Sequence, residues 1–256
     1  MKLCLSSRMF TVPGTRDEFE LDVEEFVRFA RETGYDGIAL RPGQLDERAT
    51  SEEVARIGEL LIETDTVCSF AMGGRASDEE GYRRLCKLID DAASIGCGHV
   101  QPSVGEESEI RWIQRACDHA AEKGVRLCPQ LHDKTLHDTV ANCKQLFDTV
   151  NRENFGLNFE ASHLILQESK PRGGEALRVL SDKVFTICVQ NYRKAEGSSV
   201  AVLPGDPEGV NFGEIFDVAR EIGFDGFVTH MSGSYPDLDN LTVCKSYVAA
   251  LRSLMR

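Results

Sequence analysis

The segment GLNFEASHLILQ, Gly156 to Gln167, sets Glu160 and His163 three residues apart where a strand-like pattern ends. A carboxylate and an imidazole at that spacing can share a metal ion or pass a proton between them. Other stretches offer polar side chains at comparable points. PQLHD carries Gln130 and His132, VFTICVQNYR carries Cys188, Gln190 and Arg193, and IALRPG carries Arg41. Histidine and carboxylate do acid–base or ligand work, while amides and guanidinium groups bind hydroxyls and anions. Plainer readings exist for each. Glu160 could cap the next helix with His163 in its first turn, PQLHDKTLHD with His132 and His137 could be only a polar loop, and Arg41 before Pro42-Gly43 could decorate a turn.

Elements must bring these points together, and the chain has a grammar for doing so. RETGYDGIALR (Arg31 to Arg41) and REIGFDGFVTH (Arg220 to His230) both run helix end, glycine, aromatic, Asp-Gly, then a β run. The glycine suits a left-handed helix C-cap. SIGCGHVQP and EKGVRLCPQ repeat the pattern more loosely. Eight strands are expected at Lys2 to Ser6, Gly37 to Arg41, Val67 to Met72, His99 to Pro102, Val125 to Leu131, Gly156 to Glu160, Val184 to Gln190 and Gly226 to His230. Between them, Leu21 to Thr33, Ser51 to Glu63, Asp78 to Ile95, Glu107 to Lys123, Asp138 to Val150, Gly174 to Leu180, Phe212 to Ile222 and Asn240 to Met255 show apolar residues at helical spacing. This alternation predicts an α/β fold with a parallel sheet, and its rhythm fits one (β/α)₈ TIM barrel over residues 1–256. A doubly wound sheet is the alternative, but SSRMFTVPG (Ser6 to Gly14) after the first strand is not a Gly-rich phosphate turn.

In a barrel, function sits at the C-terminal strand ends, which here offer Arg41, Met72, Gln101, Gln130 with His132, Glu160 with His163, Cys188 with Gln190, and His230 with Met231. With 29 basic against 42 acidic residues the formal charge is −13, so nucleic acid is not an expected partner. No apolar run is long enough to span a membrane, and a cytoplasmic protein is expected. The nine cysteines are scattered without a C-x-x-C motif, which disfavours disulfides and zinc knuckles. Cys4, Cys68, Cys128 and Cys188 fall on alternate strands; a thiolate cluster would be one use of them, small buried hydrophobes the plainer one.

Five pieces in order resemble the xylose isomerase-like TIM barrel family of sugar isomerases and epimerases: GYDGIALRPGQL, VRLCPQLHD, LNFEASH, VFTICVQNYR and LPGDPEGVNFGEIFDVAREIGFDGF. The resemblance implies a (β/α)₈ barrel whose relatives hold a divalent ion with two glutamates, an aspartate and a histidine. On this chain those positions become Gln130, Glu160, Cys188 and Met231, so only Glu160 keeps a carboxylate. His132, His163 and Gln190 match family positions that contact substrate. The resemblance therefore implies a protein acting beside the carbonyl of a small sugar or keto acid, with an altered site. Glu160 and His132 would be catalytic, His163, Gln190, Arg41 and Arg193 would bind substrate, and Glu160, Gln130 and Cys188 would hold any Mn²⁺, Zn²⁺, Co²⁺ or Mg²⁺. A catalytically inactive sugar-binding or subunit-partner homologue is the alternative. A DNA-repair role of the endonuclease IV kind is third, since six histidines on an acidic chain do not supply its three-ion cluster. A homo-oligomer is compatible with all of these.

Overall fold

Glycines and side-chain caps mark where the chain changes element. In a computed structural model of the protein, all residues except 197, 233, 234, 236 and 237 are described. The strands are β1 (Lys2–Ser6), β2 (Gly37–Leu40), β3 (Val67–Arg75), β4 (His99–Ser103), β5 (Arg126–Leu127), β6 (Leu157–Phe159), β7 (Val184–Val189), β8 (Tyr192–Ala195), β9 (Ser198–Ala201) and β10 (Phe227–His230). The helices are α1 (Val23–Thr33), α2 (Ser51–Glu63), α3 (Glu79–Ser94), α4 (Ile110–Glu122), α5 (Val140–Val150), α6 (Ala161–Leu166), α7 (Gly173–Leu180), α8 (Phe212–Glu221) and α9 (Asn240–Leu254).

Each transition has a local cause. Asp22 and Thr50 form capping boxes with Glu25 and Glu53, which start α1 and α2. Gly34, at φ 99°, ends α1 in the left-handed conformation that a side chain would strain, and three residues later β2 begins. Helix residues such as Phe26, Leu61, Ile89, Ile113 and Phe216 then pack on the strands to form the core.

Eight strands join in parallel in the order β5-β4-β3-β2-β1-β10-β7-β6. The ends of that sheet meet through parallel bridges, Leu127 to Phe155 and Gln130 to Asn158, so the barrel is nearly closed. Register shows which side chains face inward. Cys4 lies beside Thr229, Thr229 lies beside Cys188, and the Thr229 hydroxyl is 3.0 Å from that of Ser69 on β3. His230, one residue on, points the other way, with Nδ1 2.8 Å from the Tyr35 hydroxyl.

Three differences from the sequence expectation bear on the site. β5 is two residues long rather than running from Val125 to Leu131, because Pro129 has no N–H to donate to a ladder. The expected helix from Glu107 splits into a 3₁₀ turn, Glu107–Glu109, and α4. The β8–β9 hairpin and the short α6 are additional elements. Among the described residues no helix is long and apolar enough to cross a membrane.

Candidate active site

Strand β6 delivers Glu160 to the barrel's C-terminal rim, and α6 begins at the next residue. Glu160 stands at the N-cap position, yet its carboxylate makes no cap hydrogen bond. Instead Glu160 is fully buried and accepts from Gln130 Nε2, from Ser162 Oγ and, at 2.9 Å, from Gln190 Nε2. The chain of amides continues behind it. Gln101 Nε2 donates to Gln130 Oε1 at 3.2 Å, and Asn158 Nδ2 donates to Gln101 Oε1 at 2.8 Å. The segments after β5 and β7 and the first turn of α6 thus each spend a neutral donor on one carboxylate.

His163, in the first turn of α6, carries this carboxylate toward solvent. Its Nε2 is 3.5 Å from Glu160 Oε1, and its Nδ1 is 3.2 Å from Asp133 Oδ1. Asp133 Oδ1 is also 2.9 Å from His132 Nδ1, and the two imidazole rings pack with centroids 3.9 Å apart. Exposure falls inward, from 49% for the His132 side chain through 35% for Asp133 to 8% for His163 and zero for Glu160. Burial lowers the pKa of His163, and the Glu160 carboxylate partly offsets that. The result is a graded line of proton-carrying groups from water to the barrel interior.

The structure sorts the expected residues. Gln130, Glu160, His163 and Gln190 converge with His132, and Gln101, Asn158, Ser162 and Asp133 complete them. Arg193 does not join: it lies on the hairpin and pairs with Glu208 at 2.6 Å. Gln130 and Cys188 stand close to Glu160 but do not form a ligand set with it. The Gln130 amide turns an N–H toward the carboxylate, opposite in polarity to metal ligation. Burial, then the Glu160 charge, raises the Cys188 thiol well above its ordinary range, so it stays protonated at neutral pH. Met231 offers only a buried thioether. These donors do not fit a hard divalent ion. One ligand atom from each of His132, Asp133 and His163 does lie within 4.8 Å of the others, a set that could hold a borderline ion such as Zn²⁺.

Other expected candidates are structural. His137 Nε2 meets the Gln130 carbonyl at 2.8 Å and so holds the loop after β5 in place. Cys4, Cys68 and Cys128 are buried free thiols. Arg41 sits on the same rim, directly after β2, and its guanidinium makes no ion pair among the described residues. Another groove, of about 720 Å³, lies between the loops after β1 and β2 and helix α2, where Arg48 and Arg56 already pair with Asp46 and Glu24.

Comparison with known proteins places this arrangement. A sequence profile of the xylose isomerase-like TIM barrel family matches residues 27–242. No curated protein sequence matches the chain. Among solved structures, D-psicose 3-epimerase with D-tagatose from Clostridium cellulolyticum H10 superposes with TM-score 0.80 at 11% identity, covering 100% of both chains. A probable 3-DHS dehydratase involved in petrobactin synthesis from Bacillus anthracis gives 0.79 at 17% identity, covering 98% of this chain and 99% of that one. D-allulose 3-epimerase from Methylomonas sp. gives 0.76 at 16% identity, covering 99% and 98%. At these identities the likeness establishes the fold.

Proposed function

The chain belongs to the xylose isomerase-like TIM barrel family, and from that premise we propose that it binds a small sugar or keto acid at the barrel mouth and moves a proton on the carbon beside its carbonyl. The observation that carries this reading is the line His132, Asp133, His163, Glu160 at the C-terminal rim. His163 is the proton carrier. Burial keeps its imidazole neutral at pH 7, and a neutral imidazole can take a proton from a C–H that a carbonyl has made acidic. Asp133 orients the ring and favours the imidazolium that forms. His132, half exposed, exchanges the proton with water. Glu160 is held by Gln130, Gln190 and Ser162, and His163 Nε2, 3.5 Å from Glu160 Oε1 and without a hydrogen-bond partner, is the nitrogen that takes the proton.

The geometry of inversion favours an isomerase over an epimerase. Inverting one carbon needs a base on one face and an acid on the other, whereas a shift between neighbouring carbons can use one group on one face. Neutral Gln130 and Met231 supply no second base. A silent sugar-binding protein is the second reading, favoured by the complete burial of Glu160. Incubating the chain with C5 and C6 aldoses, ketoses and 2-keto acids in D₂O separates the two. Deuterium should enter beside the carbonyl, and His163→Asn should slow entry by about a hundredfold or more. Binding without any deuterium entry establishes the silent reading instead.

A further inference from the structure

We propose that the ligand of this pocket is an acid, and that Arg8 and Arg41 hold its phosphate or carboxylate group. Arg8 lies in the 3₁₀ turn Ser7–Phe10 that follows β1, and Arg41 follows β2, the strand paired beside it. Both therefore stand on the rim that carries Glu160 and His163. The Nε atom of each is buried without a hydrogen-bond partner, and neither side chain makes an ion pair among the described residues. Arg16 adds a third guanidinium close enough for its charge to bear on Arg41.

Carboxylates are not scarce here. Acidic residues outnumber basic ones 42 to 29, and Arg28, Arg75, Arg152 and Arg252 each sit against one. The rim arginines are without one although the chain has an excess to offer. A guanidinium cannot shed its charge at neutral pH, so holding one half-buried beside like charges with no carboxylate against it costs stability unless an anion arrives. Burial, then the charges of Arg8 and Arg16, pulls the Arg41 pKa down to about 10, as expected of a cation awaiting its partner. Arg8 also bears on His163 and Cys188, which places its charge over the same pocket. The planar fork of arginine matches two oxygens of a carboxylate or phosphate. One end of the ligand would meet His163 and the acid end would meet Arg8 and Arg41; this rests on the sugar-pocket reading above for the first end only.

Calorimetric titration of the full chain with inorganic phosphate, D-fructose, D-fructose 6-phosphate and D-glucuronate tests it. At least one acidic sugar should bind about tenfold or more tighter than D-fructose, the yield of one charge-assisted contact. Phosphate or uronate preference names the acid. Arg8→Gln with Arg41→Gln should erase that preference while leaving D-fructose affinity unchanged, and Arg41→Lys should restore part of it. Equal affinity for D-fructose and both acids overturns the anion site and leaves the sugar pocket standing. Phosphate binding that the double variant abolishes, with no sugar bound, keeps the anion site and overturns the sugar pocket. Binding of no probe overturns both. Melting of the ligand-free protein gives a second readout: Arg41→Gln should hold or raise Tm, and a clear fall would make Arg41 a scaffold cation and end the proposal.

Discussion

At the scale of residues, the site turns on what faces Glu160. Gln130 offers it an N–H, so Gln130→Glu would set a second carboxylate against a buried one. Two such groups cannot both ionise cheaply. The variant should lose about 3 kcal/mol at pH 7.5, and less at pH 5.5 where the pair shares a proton; urea unfolding of variant and parent at both pH values measures the difference. Cys188→Ala should leave metal content by mass spectrometry unchanged, because a thiol kept protonated by burial is not a ligand. Glu160, His163, Gln190 and His132 were legible because chemistry-bearing types stood at strand ends. Asp133 was adjacent to His132 but hidden in a loop, and Ser162 looked like filler within EASH. Arg8 lies within SSRMFTVPG, where local spacing says only that no Gly-rich phosphate turn follows β1. Charge pairing across elements, which gives Arg8 its meaning and removes Arg193 from the site, has no trace in local sequence.

At the scale of elements, the strand and helix alternation was legible through glycine caps and periodicity, and the strand starts at Lys2, Gly37, Val67, His99 and Val184 agree with expectation. What escaped was where ladders stop. VRLCPQL reads as one apolar run, yet Pro129 interrupts pairing, and β5 reaches β6 through isolated bridges at Leu127 and Gln130. The hairpin escaped for another reason: YRKA and SSVA are short and polar, and a pattern allotting one strand to each helix leaves them as loop. The β5–β6 seam is joined by isolated bridges instead of a continuous ladder, and it carries both Gln130 and Glu160. Amide exchange should reveal it. The Leu127 and Leu131 amides should exchange about tenfold or more faster than those of Leu5 and Val228, since local openings follow the thinnest hydrogen bonding. Equal protection would mean the seam is as firm as the rest.

At the scale of the whole molecule, three histidines tie stability to pH. His230 is enclosed between Tyr35 and Tyr247, His137 grips the Gln130 carbonyl, and His99 lies against Phe185 and Phe227. Burial lowers each from the ordinary 6.5 to about 4, with Arg126 adding to the effect at His99. The unfolded chain therefore takes up protons near pH 6.5 while the folded chain resists until about pH 4, so acidification favours unfolding across that window. Above pH 7 these groups are neutral in both states and change nothing. Carboxylates act lower: Asp46, held to about 2 by Arg48, loses its contribution only below the ordinary carboxylate range. Between pH 6.5 and 5, His230 and His137, each at most 1% exposed, should together remove about 3 kcal/mol, a large part of the stability of an ordinary domain. His137→Asn keeps a donor for the Gln130 carbonyl but cannot titrate. It should flatten the mean slope of unfolding free energy against pH by about 0.8 kcal/mol per unit, read from urea melts between pH 7.5 and 5. An unchanged slope would mean that His137 takes up its proton in the folded barrel as readily as in the unfolded chain, and that burial does not hold the ring at the Gln130 carbonyl neutral.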